Sequence, residues 1–599
     1  MQRIAPNKNS YRIFLTCIAL LAFVAVVSLP IVQAGYYSDD IINSLVPGTI
    51  KFYHYGFWHY IAADMKVWLG NGRFFPLSVI SSITVFFLFS KVVYYQIARL
   101  CFMWMGYFLF AGLIKTLTKN TASAFLFLIL IPTCWSIKDV ADPLVSFAIF
   151  LPLVVIFTTL SLLFLTYFQE SKKSCWLALS LLMYFFDLNC YEASIVAFFM
   201  IVTMVLSSND FPKQQWQTMK PYLIISFVFF ATYFIVHNTS VSAYDGITFH
   251  ISLQFFHGFI IQLLTALPLS YYFLGDDNGL HLTDVVRSMW HNKIYFYLAI
   301  SLFVSLSVSL YSLIPKVHFN KKSTSLIFRF GLILLFIPAI LIGLSQKYQV
   351  ILHSGKGYIP VYVQYIGCAC LLLSLIRSLN LSIASLFYKK VLAMSTAILI
   401  SLILLFSLFC NLITVQIDND RYYYSRALFE SALQHGLLNN LPSNSHIIEN
   451  LYFWNSPSFF VMNATKSIAG VIDINDTKQL PHVNNKFYLE IFRIKNTRSG
   501  FISLSSMQAM DIQNIRHVIK ITRHVTVQNP TFFIYASNQK EYIAILQTMR
   551  LRFHLSEPQI QTINQLYFSS KNPWAIIPLS QPTLNLRINY NDIENIIPV

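Results

Sequence analysis

Residues 391–415 read VLAMSTAILISLILLFSLFCNLITV and contain no charged side chain. A helix rises about 1.5 Å per residue, and the hydrocarbon core of a bilayer is about 30 Å thick. The run is therefore long enough to cross a membrane as one helix. Lys389 and Lys390 precede it and Asp418 follows it, so the sequence predicts a membrane-spanning helix with a polar boundary at each end.

The composition of the whole chain agrees with a membrane location. Of its 599 residues, 56% are hydrophobic and 11% are charged, whereas soluble domains carry about 25% charged residues. The formal net charge is +17. The basic residues lie in short loops between apolar runs, where they set topology and contact anionic lipid. Because no basic block or nucleic-acid motif accompanies them, we predict no nucleic-acid partner.

Apolar length and the positions of Lys and Arg predict about eleven membrane-spanning helices, with the N-terminus inside and the C-terminus outside. The first run is predicted to be an uncleaved helix rather than a signal peptide. Two further apolar stretches, 77–89 and 255–274, are predicted to be interfacial or re-entrant. The predicted spans are 12–34, 92–117, 121–137, 143–168, 174–188, 193–207, 221–237, 294–314, 325–345, 359–377 and 391–415.

The predicted fold is mainly α: a polytopic transmembrane helical bundle over residues 1–415, followed by a soluble periplasmic α/β domain over residues 416–599. Asn, Gln and Ser become common after the last apolar run. Short β-type segments alternate there with helical ones. The predicted strands are 446–452, 486–493, 501–505, 517–522 and 531–536, and the predicted helices are 421–437, 540–549 and 557–563.

An acidic pair, Asp39 and Asp40, lies just beyond the first helix, in an outer loop that runs over residues 35–75. Neighbouring side chains point apart, so we expect one carboxylate to face a cleft and the other to be braced by the backbone. A carboxylate at this place can act as general base on an acceptor hydroxyl. The alternative is a solvated loop start or the N-cap of a short helix.

Three basic residues on outer loops suit a phosphate at the membrane surface. Arg73 follows Gly72 at the end of the first outer loop, and Lys347 and Lys356 flank a loop that also holds Tyr358. A guanidinium binds phosphate with two hydrogen bonds, and an ammonium acts as a point charge. The alternatives are an Arg that reaches towards water and lysines that only solvate the loop.

A second acidic position, Glu192, follows Tyr191 between apolar stretches. A carboxylate at such a junction is costly unless it is paired or functional. Lys138 and Asp139, on a neighbouring outer loop, are candidate substrate-binding residues together with Tyr191 and Glu192. A structural ion pair between Glu192 and Lys138 is the equally weighted alternative.

Motifs for nucleotide or metal chemistry are absent from the sequence. There is no Walker loop, dinucleotide-binding glycine pattern, nucleophile elbow or HExxH pair. His54, His59 and Asp64 match no metal-ligand spacing. We predict no cofactor, while the carboxylates leave a divalent cation open.

Ser38-Asp39-Asp40, Asn71-Gly72-Arg73-Phe74 and Tyr191-Glu192, in this order after an uncleaved first helix, resemble motifs of bacterial integral-membrane glycosyltransferases of the GT-C type. The resemblance is closest to the serotype-converting glucosyltransferases and related membrane families, and it covers roughly residues 1–415. For the tail, the resemblance is limited to the presence of an outer domain, which such enzymes commonly carry.

The resemblance implies a sugar donor linked to polyprenyl phosphate and an acceptor in a cell-envelope glycan, such as lipopolysaccharide O-antigen. Transfer would take place on the periplasmic face of a bacterial inner membrane, usually with inversion. Asp39 or Asp40 would be the base, and Arg73 would hold the phosphate. Because the donor is already activated, no nucleotide site is needed.

Two other classes of function stay open at this stage. A transporter or flippase of lipid-linked glycans would carry ionisable residues in mid-helix and an internal repeat. A non-catalytic envelope assembly protein would depend on residues 416–599 and would tolerate loss of the acidic pair. Charges clustered at the outer ends of helices favour the enzyme.

Overall fold

A computed structural model describes most of the apolar part of the chain and selected parts of the tail. The described residues are 8–52, 54–138, 141–208, 210–240, 246, 250–275, 285, 293–382, 385–419, 423, 426, 427, 430, 431 and 543, together with eight strands in the tail.

The described helices follow the apolar runs closely. They are α1 Lys8–Gln33, α2 Asp39–Asn43, α3 Val46–Phe52, α4 Phe57–Gly70, α5 Pro76–Leu88, α6 Val92–Thr118, α7 Thr121–Cys134, α8 Phe150–Ser171, α9 Ser174–Leu188, α10 Ile195–Leu206, α11 Pro212–Thr239, α12 Leu253–Thr265, α13 Ser270–Leu274, α14 Lys293–Leu313, α15 Lys321–Leu344, α16 Gln346–Ile351, α17 Val361–Ser382 and α18 Leu386–Asp418.

Among the described residues, seven helices are long and apolar enough, by length and composition, to cross a membrane. They correspond to seven of the eleven predicted spans and include α6, α8 and α11. The predicted spans 121–137, 174–188 and 193–207 are shorter apolar helices, as is Ile18–Gln33, the part of α1 whose side chains the structure describes. The chain is a multi-pass membrane protein, and the count of eleven stays a prediction.

Two of the predicted helix starts are wrong. The helix predicted from residue 143 begins only at Phe150, because the chain turns between 141 and 149, with φ of 69° at Phe147 and 48° at Ala148. The helix predicted from residue 221 already begins at Pro212. Proline is favoured in the first turn of a helix, where no backbone N–H is needed.

The stretch 255–274 does not form one continuous helix. α12 has 13 residues, which is about 20 Å and less than the hydrocarbon core of a bilayer. α13 follows as a separate short helix after Pro268. This agrees with the expectation of a non-spanning segment.

Small residues allow α15 and α17 to pack closely. A Cβ added at Gly331 would lie 2.8 Å from the Leu371 side chain and 3.0 Å from the carbonyl oxygen of Gly367. A Cβ added at Gly367 would lie 2.9 Å from the carbonyl oxygen of Gly331. Within a membrane, such small residues let helix backbones meet and increase dispersion contacts.

The chain divides into two compact units, 1–40 with 57–419 and 41–56 with 420–599. In the second unit Arg426 is buried and donates to the carbonyl oxygen of Ile41 at 3.2 Å and to Glu430 Oε1 at 2.7 Å. This contact ties the segment 41–56 to residues that follow the last apolar helix. The functional division at residues 415 and 416 stays a proposal.

The described part of the tail contains strands in two antiparallel sheets. The strand orders are β1-β2-β5-β6 and β3-β4-β7-β8. The strands are β1 His446–Ile447, β2 Phe501–Leu504, β3 Ser506–Ile512, β4 Thr522–Gln528, β5 Thr531–Tyr535, β6 Trp574–Pro578, β7 Thr583–Asn589 and β8 Ile596–Pro598.

Two predicted strands, 501–505 and 531–536, coincide with β2 and β5, and they are paired with each other. The sequence did not predict β3, β6, β7 or β8, and the predicted strand 517–522 shares only Thr522 with β4 and otherwise lies outside the described residues. The predicted strand 486–493 lies outside the described residues, as do the helical predictions 540–549 and 557–563 except for a single residue. The α/β class of the tail therefore stays a prediction.

Candidate functional site

The exit of α1, which carries the acidic pair, is held by two long helices. Gln96 of α6 donates through Nε2 to the carbonyl oxygens of Ala34 at 3.2 Å and Gly35 at 2.9 Å. The Tyr37 hydroxyl donates to the carbonyl oxygen of Val415 in α18 at 3.2 Å. These bonds fix the place at which the acidic pair begins.

Asp40 is fully buried and is bound on both carboxylate oxygens. Its Oδ1 accepts from the backbone N–H of Ala148 at 3.1 Å, and its Oδ2 accepts from the Tyr95 hydroxyl. Burial raises the pKa of Asp40 to about 7, against the opposing effects of the Arg99 charge and these two hydrogen bonds. The Tyr95 ring in turn stacks on Phe86, with centroids 4.5 Å apart.

The turn before α8 shapes the other side of this carboxylate. Phe147 and Ala148 both have left-handed backbone conformations, which are strained for residues other than glycine. Asp142 Oδ1 accepts from the N–H of Leu144 at 2.7 Å, and Arg99 donates to the carbonyl oxygen of Leu144. The turn is thereby braced at its start and presents the Ala148 N–H to Asp40 at its end.

Asp39 has different surroundings from its neighbour. Its side chain is exposed to solvent, whereas that of Asp40 is fully buried. Loss of hydration next to the protein raises the pKa of Asp39, while the charges of Arg73 and Lys347 lower it. Arg73 and Lys347, which are far apart in sequence, therefore both act electrostatically on the same carboxylate.

Arg73 is held between a carboxylate and an aromatic ring. Its Nη2 lies 3.3 Å from Glu192 Oε1, with 18% of the Arg73 side chain and 31% of the Glu192 side chain exposed. The guanidinium lies 4.5 Å from the ring centroid of Trp68. Glu192 therefore pairs with Arg73, and the alternative pair with Lys138 is wrong.

Tyr191 lies in an aromatic cluster behind this pair. Its ring centroid is 6.1 Å from Phe75 and 5.1 Å from Phe150. The N–H of Leu77 donates to the carbonyl oxygen of Asn189 at 3.1 Å and joins the two loops. Tyr191 is only 7% exposed, so its predicted role in substrate binding stays a prediction that requires an approach past Phe75.

Lys138 is 3% exposed and faces protein. Its backbone N–H donates to Asp142 Oδ2 at 3.1 Å, and its ammonium lies 5.6 Å from the ring centroid of Tyr365. Burial lowers the pKa of Lys138 to about 8 and raises that of Asp142 to about 6, and the charge of each opposes the shift of the other. Asp139, predicted beside it, lies outside the described residues.

Lys356 and Tyr358 lie on the loop between α16 and α17, which is fixed against α12. Gln262 accepts from the Tyr358 N–H at 2.7 Å and donates to the Tyr358 carbonyl oxygen at 3.2 Å. The Tyr348 and Tyr358 rings lie 4.1 Å apart between centroids. The predicted phosphate-binding role of Lys356 and substrate-binding role of Tyr358 stay predictions.

Tyr95 and Arg99 are the residues of this region that the sequence-based site prediction omitted. Arg99 carried a usable signal, because an arginine inside an apolar helix indicates a buried partner or a functional role. Tyr95 carried none, since tyrosine is common throughout this chain. Within the described residues no group of three or more His, Cys, Asp or Glu could hold a metal ion, and the prediction of no cofactor stays a prediction.

No family model and no curated protein matches this chain. One solved structure with a detectable likeness is that of ArnT from Cupriavidus metallidurans bound to undecaprenyl phosphate. The two chains are 8% identical, the match covers 78% of this chain and 85% of that one, and the TM-score is 0.37. A likeness at this level supports no conclusion about activity.

Proposed function

We propose that this protein is a membrane glycosyltransferase of the GT-C type. It would transfer a sugar from a polyprenyl-phosphate donor to a hydroxyl of a cell-envelope glycan. The observation that carries the proposal is the exposed carboxylate of Asp39, whose pKa is lowered by the charges of both Arg73 and Lys347. The proposed classes of donor and acceptor follow from the sequence motifs that resemble this class of enzyme.

The three side chains suit the two ends of such a transfer. Asp39 would accept the proton of the acceptor hydroxyl while the hydroxyl oxygen bonds to the anomeric carbon. The bond between that carbon and the phosphate oxygen breaks, and the polyprenyl phosphate leaves with its electron pair. Arg73 and Lys347 would stabilise the charge that develops on the leaving phosphate.

The electrostatics of Asp39 favour it over Asp40 as the base. Loss of hydration raises the pKa of Asp39, which makes it a stronger base. The charges of Arg73 and Lys347 favour its ionised form. Asp40 is fully buried, and its two oxygens accept hydrogen bonds from Ala148 and Tyr95, so its carboxylate faces protein instead of an acceptor hydroxyl. We assign Asp40 the role of positioning the start of α2.

Substitution Asp39→Asn tests the base directly. A strain that lacks the gene is complemented with wild type or variant, and the sugar content of its envelope glycan is measured by mass spectrometry at equal membrane levels of protein. We expect the variant to lower the rate of sugar transfer by about 100-fold or more, because a general base contributes about that factor.

Asp210→Asn is the matched control. Asp210 is also an acid beside a basic side chain, since its Oδ1 lies 2.7 Å from the Lys172 ammonium on an exposed surface. We expect that variant to keep wild-type sugar content. If Asp39→Asn kept it too while the deletion strain lost a sugar, the transferase mechanism would be wrong and the transporter or assembly alternative would be preferred.

A further inference from the structure

A groove separate from the acidic pair lies between α6 and α8. Its volume is about 1080 Å³, and it is lined along α6 by a stripe of residues from Cys101 to Lys119 and along α8 by Leu163, Tyr167 and Glu170. The stripe is about 27 Å long, at about 1.5 Å per residue. It therefore follows most of a helix that is long and apolar enough to cross the membrane.

The middle of the groove is hollow because Gly112 has no side chain there. A Cβ added at Gly112 would meet no atom within 4 Å. Trp104 and Phe108 line the groove on one side of Gly112, and Lys115 lies on the other. The surface from Trp104 to Lys115 is about 17 Å long, close to the roughly 15 Å of one leaflet's hydrocarbon.

One end of the groove is basic. Lys115 and Lys119 are both exposed, and neither forms an ion pair with an acid in the part of the chain that the structure describes. Glu170 faces the same end from α8, so two positive charges meet one negative charge there. Tyr167 lies one turn before Glu170, and tyrosine is enriched at the level of the lipid headgroups in membrane proteins.

We propose that this groove is a binding site for one anionic phospholipid. An acyl chain would lie along Trp104, Phe108 and the hollow at Gly112, and the headgroup phosphate would lie between Lys115 and Lys119. Cationic side chains near an anionic membrane surface strengthen binding by about fivefold each. The match to the thickness of one leaflet favours a bilayer phospholipid over a much longer polyprenyl chain.

The groove is independent of the proposed transferase site. Tyr95, which binds Asp40, and Lys119 are both on or next to α6 and are about 36 Å apart along it. That distance is about the thickness of a membrane, so the lysines lie near the face opposite the acidic pair. The lipid site would stand even if the transferase proposal failed.

Native mass spectrometry of the purified full-length protein tests the site. Phosphatidylglycerol, phosphatidylcholine with the same acyl chains and a polyprenyl phosphate are titrated separately, and then in competition. We expect one tightly retained phosphatidylglycerol and at least fivefold weaker retention of the other two lipids. Equal retention of phosphatidylcholine would exclude a headgroup site, and preferential retention of the polyprenyl phosphate would show that the occupant is wrong.

Two variants test the two ends of the groove. Lys115→Gln combined with Lys119→Gln should weaken phosphatidylglycerol retention by about 25-fold, at about fivefold per lysine. Gly112→Leu should abolish retention by filling the hollow, and it should fold normally because the added side chain enters open space. The control is Lys389→Gln with Lys390→Gln, which removes two lysines from the first turns of α18, predicted to lie on the same side. An equal loss in that control would overturn the proposal.

Discussion

At the scale of single residues, the acidic pair shows how one peptide bond separates two electrostatic environments. Asp39 is exposed beside the charges of Arg73 and Lys347, whereas Asp40 is enclosed by Tyr95, Ala148 and Arg99. The first carboxylate is exposed to solvent, and the second is enclosed by protein. We therefore expect their substitutions to have different consequences.

Asp40→Asn should flatten the dependence of stability on pH. The pKa of Asp40 is raised from 3.8 to about 7 in the folded protein. Between these values the folded state binds the proton and the unfolded state does not, so wild-type stability falls as pH rises from about 4 to about 7. The full difference is on the order of 4 kcal/mol, and it is lost in the variant.

Melting temperatures of wild type and Asp40→Asn, measured in one detergent from pH 4.5 to 8, check this prediction. The variant also leaves Arg99 with one fewer counter-charge, which shifts its whole curve without changing the slope attributed to Asp40. Asp142, whose pKa is raised to about 6, contributes to both proteins. Parallel curves for the two proteins would mean that Asp40 does not titrate in this range.

At the scale of helices, the contact between α15 and α17 depends on the absence of side chains. Gly331 and Gly367 allow each backbone to approach the other's carbonyl oxygen. In lipid there is no hydrophobic drive between helices, so such close packing supplies much of the association energy. The two glycines therefore act as structural residues, while Gly112 lines an open groove.

Gly331→Ala and Gly112→Ala form a matched pair. Both replace a glycine inside a long helix, and this change alone favours the helix by about 1 kcal/mol. At Gly331 the new methyl group would meet Leu371 at 2.8 Å and should destabilise the protein by about 1–3 kcal/mol. We expect a lower melting temperature for Gly331→Ala and an equal or higher one for Gly112→Ala. A rise in both would contradict the close contact.

At the scale of the whole molecule, the two proposed sites lie near opposite faces of the membrane. The acidic pair lies beside the start of α6, where Tyr95 donates to Asp40, and the groove lysines lie at the end of α6. The positive-inside rule predicts that the lysine end is cytoplasmic. The proposed glycan chemistry would then take place on the periplasmic face.

Reporter fusions test this orientation. Alkaline phosphatase, which is active only in the periplasm, should be inactive when fused after Lys119 and active when fused after Val599. A fluorescent protein that folds in the cytoplasm should give the reverse pattern at both positions. Phosphatase activity after Lys119 would reverse the orientation and exclude the outer-face reaction.

The sequence by itself determined the helices, because the length of an apolar run and the charges at its ends decide whether a helix suits a membrane. Residues 391–415 and 92–117 lie almost wholly within α18 and α6 for this reason. It also predicted β2 and β5, whose residues favour strands locally. It missed the turn before α8, because the left-handed conformations of Phe147 and Ala148 depend on distant groups and leave no local signal.

Only the tertiary structure decided which charges meet. The different surroundings of Asp39 and Asp40, and the pairing of Glu192 with Arg73 instead of Lys138, depend on contacts between segments far apart in the chain. Charge interactions act over a few ångströms of space, and a sequence gives only separation along the chain. Folding therefore decided the chemistry of the site, while apolar length had already determined the helices that carry it.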